Sequence, residues 1–574
     1  MGALLRTLVA TALMLAVAPW PHSTTASSSS PPEARLGAGT LRGKWMSTRH
    51  GRPIAAFEGV PYAQPPVGKL RYKAPVAAEP LSGVRVADKP SPVCIQIDLF
   101  KGSTSPEGSE DCLYANIYAP ETVSRAQPLP VMVWVHGGGF FSGSGCIYGP
   151  EFLLDKDVVL VTFNYRLGAL GFLSTGDDVI PGNFGMKDQV QLLRWVRDNI
   201  AAFGGDPDQV TIFGESAGGA SVHALTLSPL AKGLFHRAIP MSGTALSPWA
   251  FRSKAWTARA SAKLAAAVGC PAQPSDQLLE CLMDKPAVDI IGADLTFLEW
   301  AGHPMCPYSM TEEPAGPGAF LDKHPAAAAA AGPASDVPLV IGFTSDEGCI
   351  GAVPVLENAN LAEDFNERFT EIAPIMFFTK HLGSKTNTAI FKKIRKFYLG
   401  DKAIDKSTRF ELMRMMTDSF FVNSILETVR LQKVSAKSPM YLYELYHPST
   451  SHRSISSLFG GGNTPYGTCH GDDLLLMFPA QALVPGDQSP TDKALSEELI
   501  NAVTTFAATG APAADGSWPP VRDGEHAEYL RISTGAGQGG LRKDFEPERM
   551  ALWKDLPVNV ALAAPVSPSG RDEL

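Results

Sequence analysis

Gln209-Val-Thr-Ile-Phe-Gly-Glu-Ser-Ala-Gly218 is an apolar, β-branched run that ends in Gly214-Glu215-Ser216-Ala217-Gly218. Beyond it, Gly219-Ala-Ser-Val-His-Ala-Leu225 has the composition of a helix. G-x-S-x-G held between a strand and a helix predicts a sharp turn that thrusts the serine clear of the sheet edge. Only small residues fit beside such a turn, and Gly214 and Gly218 provide that room. The motif alone is a common glycine–serine turn; the strand before it and the helix after it give it weight.

A serine hydroxyl is a weak nucleophile without a base, and the oxyanion it creates needs preorganised donors. Leu129-Pro-Val-Met-Val-Trp-Val-His136 reads as a buried strand and runs into Gly137-Gly138-Gly139-Phe140. H-G-G-G after a strand has the pattern of an oxyanion loop, whose glycines let backbone N–H groups crowd a carbonyl. Val337-Pro-Leu-Val-Ile-Gly-Phe343 reads as another strand and ends in Thr344-Ser345-Asp346-Glu347-Gly348. A carboxylate at a strand's carboxyl end sits where open α/β sheets keep their sites; the residues alone leave Asp346 and Glu347 as alternatives. Among 12 histidines, His470 stands out, because it follows a glycine-rich loop and precedes the apolar Leu474-Leu-Leu-Met-Phe478. The order serine, acid, histidine is that of α/β-hydrolases. Further strands are expected at Val158–Phe163, Ala238–Met241 and Tyr441–Tyr446. Between Asp188 and Phe203, residues Leu192, Leu193, Val196, Ile200 and Phe203 make one helical stripe. Alternating strands and helices predict a large, mostly parallel sheet with helices on both faces.

Other blocks make the chain resemble type-B carboxylesterases, the cholinesterase and carboxylesterase family. Gly59-Val-Pro-Tyr-Ala-Gln-Pro-Pro-Val-Gly68 with Leu70-Arg71-Tyr72, and Glu110-Asp111-Cys112-Leu113-Tyr114, are similar to the family's two signatures. Asn164-Tyr-Arg-Leu-Gly168, Gly182-Asn-Phe-Gly185, Asp188-Gln189 and Phe203-Gly-Gly-Asp-Pro207 match further blocks, so the resemblance extends from Leu36 to Leu556. It implies an α/β-hydrolase fold with long insertions and hydrolysis of small-molecule esters without a cofactor or metal. It also implies Ser216 as nucleophile, His470 as base and Glu347 as acid, the family having Glu before this glycine. Gly138, Gly139 and Ala217 are the implied oxyanion donors, and Phe140, Phe141 and 297–300 are expected around the acyl group. Implied disulfides are Cys94–Cys112 and Cys270–Cys281; implied structural ion pairs are Arg71–Glu110 and Arg166–Asp188. Cys146, Cys306, Cys349 and Cys469 have no family partner. Cys349 and Cys469 flank Glu347 and His470, where a third bridge and free thiols fit equally.

Within the family, cholinesterases place a Trp in the loop closed by the first disulfide, for cation–π attraction; no Trp lies between Cys94 and Cys112. His470-Gly-Asp-Asp-Leu-Leu resembles the histidine block of arthropod carboxylesterases and juvenile hormone esterases. The juvenile hormone branch has Gln before the serine, where this chain has Glu215. The neuroligin-like adhesion branch loses the triad and adds a membrane helix, and neither departure is seen here. Stoichiometric capture of toxic esters, with slow deacylation, is a further alternative.

Composition sets outer bounds. The 574 residues carry 49 basic and 58 acidic side chains, a net charge of −9, which gives no basic surface for nucleic acid or anionic membrane. Met1 to Ala26 has one cation, an 11-residue apolar run and small residues near its end, the pattern of a signal peptide. Residues 27–35 read as a disordered Ser/Pro linker, 36–560 as the hydrolase domain and 561–574 as a flexible tail. No later segment is long and apolar enough for stable membrane insertion. The tail ends in Arg571-Asp-Glu-Leu574, similar to K-D-E-L and H-D-E-L retrieval signals. Together the two ends imply the endoplasmic reticulum lumen and a KDEL-type retrieval receptor, with simple secretion as the alternative. Eight cysteines fit an oxidising compartment. Gly535-Ala-Gly537-Gln-Gly-Gly540 formally fits G-x-G-x-x-G, but too little chain follows for a dinucleotide-binding half-domain.

Overall fold

Apolar strands separated by helical stretches assemble into one large sheet, and the order of those strands decides where the motifs meet. The computed structural model describes residues 30–98, 102–121, 127–447, 453–462, 464–523, 526–535 and 537–556. The signal segment 1–26 and the Arg571–Leu574 tail lie outside them. In chain order the strands are β1 Glu33–Leu36, β2 Ala38–Arg42, β3 Lys44–Ser47, β4 Pro53–Pro61, β5 Ser82–Val86, β6 Tyr114–Pro120, β7 Leu129–Val135 and β8 Val159–Phe163. They continue as β9 Gly205–Glu215, β10 Arg237–Met241, β11 Phe251–Arg252, β12 Met310–Thr311, β13 Leu339–Thr344, β14 Met440–Leu445, β15 Glu528–Ile532 and β16 Gly540–Lys543.

The main sheet has the order β16-β15-β14-β13-β10-β9-β7-β8-β6-β4-β3. From β15 to β8 every neighbouring pair is parallel. Both ends are antiparallel. The β3–β4 and β15–β16 links are hairpin-length, whereas parallel neighbours need a longer crossover. The glycine run Gly535–Gly540 lies in the β15–β16 link, so it serves a hairpin. Every residue of β8, β13 and β14 is buried, as expected where helices cover both faces. The helix Phe184–Asn199 and its 3-10 extension Ile200–Phe203 bury all five residues of the predicted stripe.

One boundary needs correction. The linker read over 27–35 is ordered from Glu33, where β1 pairs antiparallel with β2 in a small β1-β2-β5 sheet. Ala34 is buried there, and Gly37 turns the chain at φ +57°. Four residues beside a Ser/Pro run carry no period of their own; the partner strand supplies the burial.

Two ion pairs pin the loops around the sheet. Buried Arg166 grips Asp188 with Nε and Nη2 at 2.8 and 2.7 Å. Arg71 grips Glu110 at 2.7 and 2.6 Å and donates Nη1 to the carbonyls of Leu282 and Lys285. Such two-pronged guanidinium–carboxylate contacts fix geometry as well as adding energy. Disulfides join Cys94 to Cys112 and Cys270 to Cys281, with Cα separations of 4.9 and 5.8 Å. No helix among the described residues is long and apolar enough to cross a membrane.

Candidate active site

β9 ends at Glu215 and a helix starts at Ala217, so Ser216 alone makes the turn. Its backbone sits at φ 58°, ψ −122°, a sparsely populated region that costs about 1–3 kcal/mol for a residue with a Cβ. Hydrogen bonds from Ser216 N to Met241 O and from Ala220 N to Ser216 O, both 2.9 Å, hold it there. Glu215 and Ala217 are buried while Ser216 is half-buried, so the turn opens only the serine. The glycines do more than relieve the turn. A Cβ on Gly214 would lie 2.8 Å from the Gly218 backbone, and one on Gly218 would overlap the Val135 carbonyl. They let the helix descend onto β7, whose Val135 is in register with Gly214.

The glycine loop after β7 lies directly on this turn. A Cβ on Gly137 would stand 3.1 Å from Ser216 Cβ and 2.8 Å from Glu215 O. Gly138, Gly139 and Phe140 all have positive φ, at 104°, 61° and 65°. Among the described residues, the N–H groups of Gly138, Gly139 and Ala217 donate to no other backbone carbonyl. Donors left free beside a nucleophile are what a developing oxyanion requires. His136, which opens the loop, stacks on Tyr165 at 4.3 Å, and burial lowers its pKa to about 4. It is a neutral spacer.

The acid arrives at the end of β13 and the base on a loop between Phe459 and Leu474 that pairs with the acid loop. Glu347 follows β13 and is fully buried; its Oε1 accepts the Thr344 N–H at 2.8 Å. Its Oε2 lies 2.5 Å from His470 Nδ1. Asp346, the alternative acid, turns away. Its Oδ2 accepts Ser345 Oγ at 2.6 Å and Thr468 N at 3.0 Å, which ties the acid loop to the base loop. The other ring nitrogen, His470 Nε2, is 3.0 Å from Glu215 Oε1. That approach is within ion-pair distance but off the hydrogen-bonding direction, and Oε1 accepts no hydrogen bond. No hydrogen bond joins Ser216 to the ring in this conformation; in enzymes without substrate that contact is often long and tightens on binding. Burial pulls the His470 pKa down, yet the charges of Glu215 and Glu347 outweigh it and hold it well above the usual histidine value.

Three features of the site carry no signal in the sequence. Glu215 was noted only as a branch marker, and its side chain faces the base. Asp473 is fully buried with neither carboxylate oxygen hydrogen-bonded. Burial, then the Glu215 and Glu347 charges, push its carboxyl well above the usual carboxylate range. The aromatic wall comes from Phe421, 4.5 Å from the His470 ring, and Trp249, which packs on Phe421 and Phe140. Phe297 packs on Tyr308 and Trp300 on Phe365. Of the two alternatives left open for Cys349 and Cys469, the bridge is the one formed, while Cys146 and Cys306 are free thiols.

A profile of the carboxylesterase family matches residues 30–553. The chain is 37% identical to venom carboxylesterase-6 of Apis mellifera over 535 residues, covering 92% of this chain and 95% of that one. It is 38% identical to juvenile hormone esterase of Tribolium castaneum, covering 83% of each. The crystal structure of juvenile hormone esterase from Manduca sexta, with OTFP covalently attached, matches with a TM-score of 0.81 at 30% identity. That match covers 92% of this chain and 99% of the other.

Proposed function

The chain belongs to the carboxylesterase family, and from that premise we propose that it hydrolyses carboxylic esters through an acyl-enzyme on Ser216. One observation carries the reading. Half-buried Ser216 sits in a strained turn against a glycine loop whose N–H groups donate to no backbone carbonyl among the described residues. The Glu215 carboxylate just before it is 3.0 Å from His470 Nε2, and the far nitrogen of that ring is 2.5 Å from buried Glu347. His470 Nε2 takes the Ser216 proton as Oγ bonds to the ester carbonyl carbon. The N–H groups of Gly138, Gly139 and Ala217 hold the oxyanion, and Glu347 keeps the imidazolium oriented and compensated. The carbonyl–alkoxy bond then breaks and His470 returns the proton to the departing alcohol. Water repeats the cycle and frees the acid. Phe140, Trp249 and Phe421 give the acyl side an aromatic wall, which favours apolar acyl groups.

Ser216→Ala tests this reading. The variant should fold normally and lose about 10⁴–10⁶ in kcat, because triad members act as a unit. Turnover within tenfold of wild type would remove Ser216 from the chemistry.

The proposal extends to location. The apolar leader and the Arg571–Leu574 tail support residence in the endoplasmic reticulum lumen with return by a KDEL-type receptor. Deleting the four residues should move activity from cells to medium with kcat unchanged. Full-length enzyme found mostly in the medium would make it simply secreted.

A further inference from the structure

Glu347 stands just after β13, whereas His470 stands on a separate loop well beyond β14, yet the two hold Oε2 and Nδ1 2.5 Å apart. The Cys349–Cys469 disulfide spans those two loops. Cys349 is two residues after Glu347 and Cys469 is the residue before His470; both are fully buried, with a Cα separation of 5.6 Å. We propose that this bridge is a positioning device for the acid–base pair, so that full esterase activity requires it to be closed.

The bridge closes a frame that hydrogen bonds begin. Asp346 and Cys469 pair like neighbouring parallel strands, with Asp346 N donating to Thr468 O at 3.0 Å and Thr468 N to Asp346 Oδ2 at 3.0 Å. Cys469 N donates to Asp472 Oδ2 at 2.8 Å, while Asp472 Oδ1 accepts Ile455 N at 2.8 Å, which shapes the base loop. On the acid side, Gly348 N donates to Thr417 Oγ1 at 2.8 Å. Of the two polar ties at the junction, the one from Thr468 N rests on the Asp346 carboxylate, whose pKa burial pushes up, so it weakens as that group takes a proton. The covalent tie does not depend on protonation. The other two bridges each close a loop remote in sequence from both Glu347 and His470, with separations of 18 and 11 residues, whereas this one joins segments 120 residues apart. A histidine that must swing between Glu215 and Ser216 while keeping its glutamate gains most from a fixed frame, since displacements of about 1 Å in a catalytic group can cost about a hundredfold. Reductive opening needs a dithiol: one thiolate attacks either sulfur, the S–S bond breaks, and the second thiolate expels the cysteine as the reductant becomes a cyclic disulfide.

The inference rests on the triad reading, and the test separates the two. In the Cys349→Ala/Cys469→Ala double variant, kcat should fall about tenfold to a hundredfold with KM within about twofold. The acid limb of its kcat/KM–pH profile should also move down, because a loosened Glu347 raises the His470 pKa less. The matched Cys270→Ala/Cys281→Ala variant should keep kcat and the limb. In a Glu347→Gln background, losing the Cys349–Cys469 bridge should cost less than about twofold more. A folded clamp variant with wild-type kcat and pH limb overturns the inference, as does a full additional loss in the Glu347→Gln background. If Glu347→Gln is itself harmless, the triad reading fails instead. Should the clamp variant not fold, native enzyme titrated with dithiothreitol replaces it, with near-ultraviolet dichroism reporting the fold. Activity should fall in step with opening of the Cys349–Cys469 bridge, read by alkylating aliquots, and return on reoxidation of the unalkylated enzyme; activity that survives complete alkylation of both cysteines overturns the inference.

Discussion

The two halves of the site are built by different physics. The nucleophile half, from Gly137 to Phe140 and Gly214 to Gly218, is set by backbone against backbone. A Cβ on Gly137, Gly214 or Gly218 would strike Glu215 O, Ser216 Cβ or Val135 O, and one on Gly138 or Gly139 would strike Ser142 O or the Phe141 ring. The acid–base half is set by side chains and a covalent tie between segments 120 residues apart in the chain. A half defined by local sterics should fail abruptly on small additions of volume. A half defined by long-range ties should fail in graded steps as each tie is cut.

The largest graded step should be Glu347→Gln. Removing the charge that compensates the imidazolium should lower kcat/KM by about 10³–10⁴, whereas Asp346→Asn, which cuts a loop tie, should cost less than about tenfold. Steady-state kinetics on both purified variants decide; the opposite ranking would make Asp346 the acid. On the steric side, Gly137→Ala should lower kcat by about 10²–10³, the scale of one lost oxyanion donor, because its Cβ has no space beside Glu215 O and Ser216 Cβ. Near-wild-type kcat in that variant would show that the loop gives way, and the contrast between the halves would fall. The smallest effect should come from Glu215→Gln. His470 must be neutral to act as base, and its raised pKa places the acid limb of kcat/KM above the ordinary histidine value of 6.5. Without the Glu215 charge the limb should move to lower pH, with the plateau changed by less than about tenfold. A limb that stays put or moves up would mean Glu215 does not act on the base.

The same contrast explains what the sequence made legible. Local sterics leave local signatures: Gly214 to Gly218 after an apolar strand, and Gly137 to Gly139 after another, announced the nucleophile turn and its loop. The parallel strands β7 to β10, β13 and β14 were likewise visible as apolar runs, because burial on both faces forces continuous hydrophobicity. The antiparallel ends of the main sheet and the separate β1–β2 hairpin were less visible, since short hairpins take their burial from a partner. The acid–base half was legible only in chain order. From residues alone Asp346 and Glu347 were equivalent, and only the fold turns one toward Thr468 and the other toward His470. Glu215, Asp473, Phe421 and Trp249 carry no motif that places them beside the base; they meet there because the sheet order β14-β13-β10-β9 gathers the segments that follow those strands. The Cys349–Cys469 bridge was open for the same reason, as spacing in sequence says nothing of distance across a sheet.

The central claim is a covalent intermediate on one serine. Enzyme treated with an organophosphate should gain one phosphoryl group per chain and lose activity in proportion, and tandem mass spectrometry should place the adduct on Ser216. Ser216→Ala should gain none. An adduct on any other residue that tracks the loss of activity, or full inhibition with Ser216 unmodified, would contradict the account.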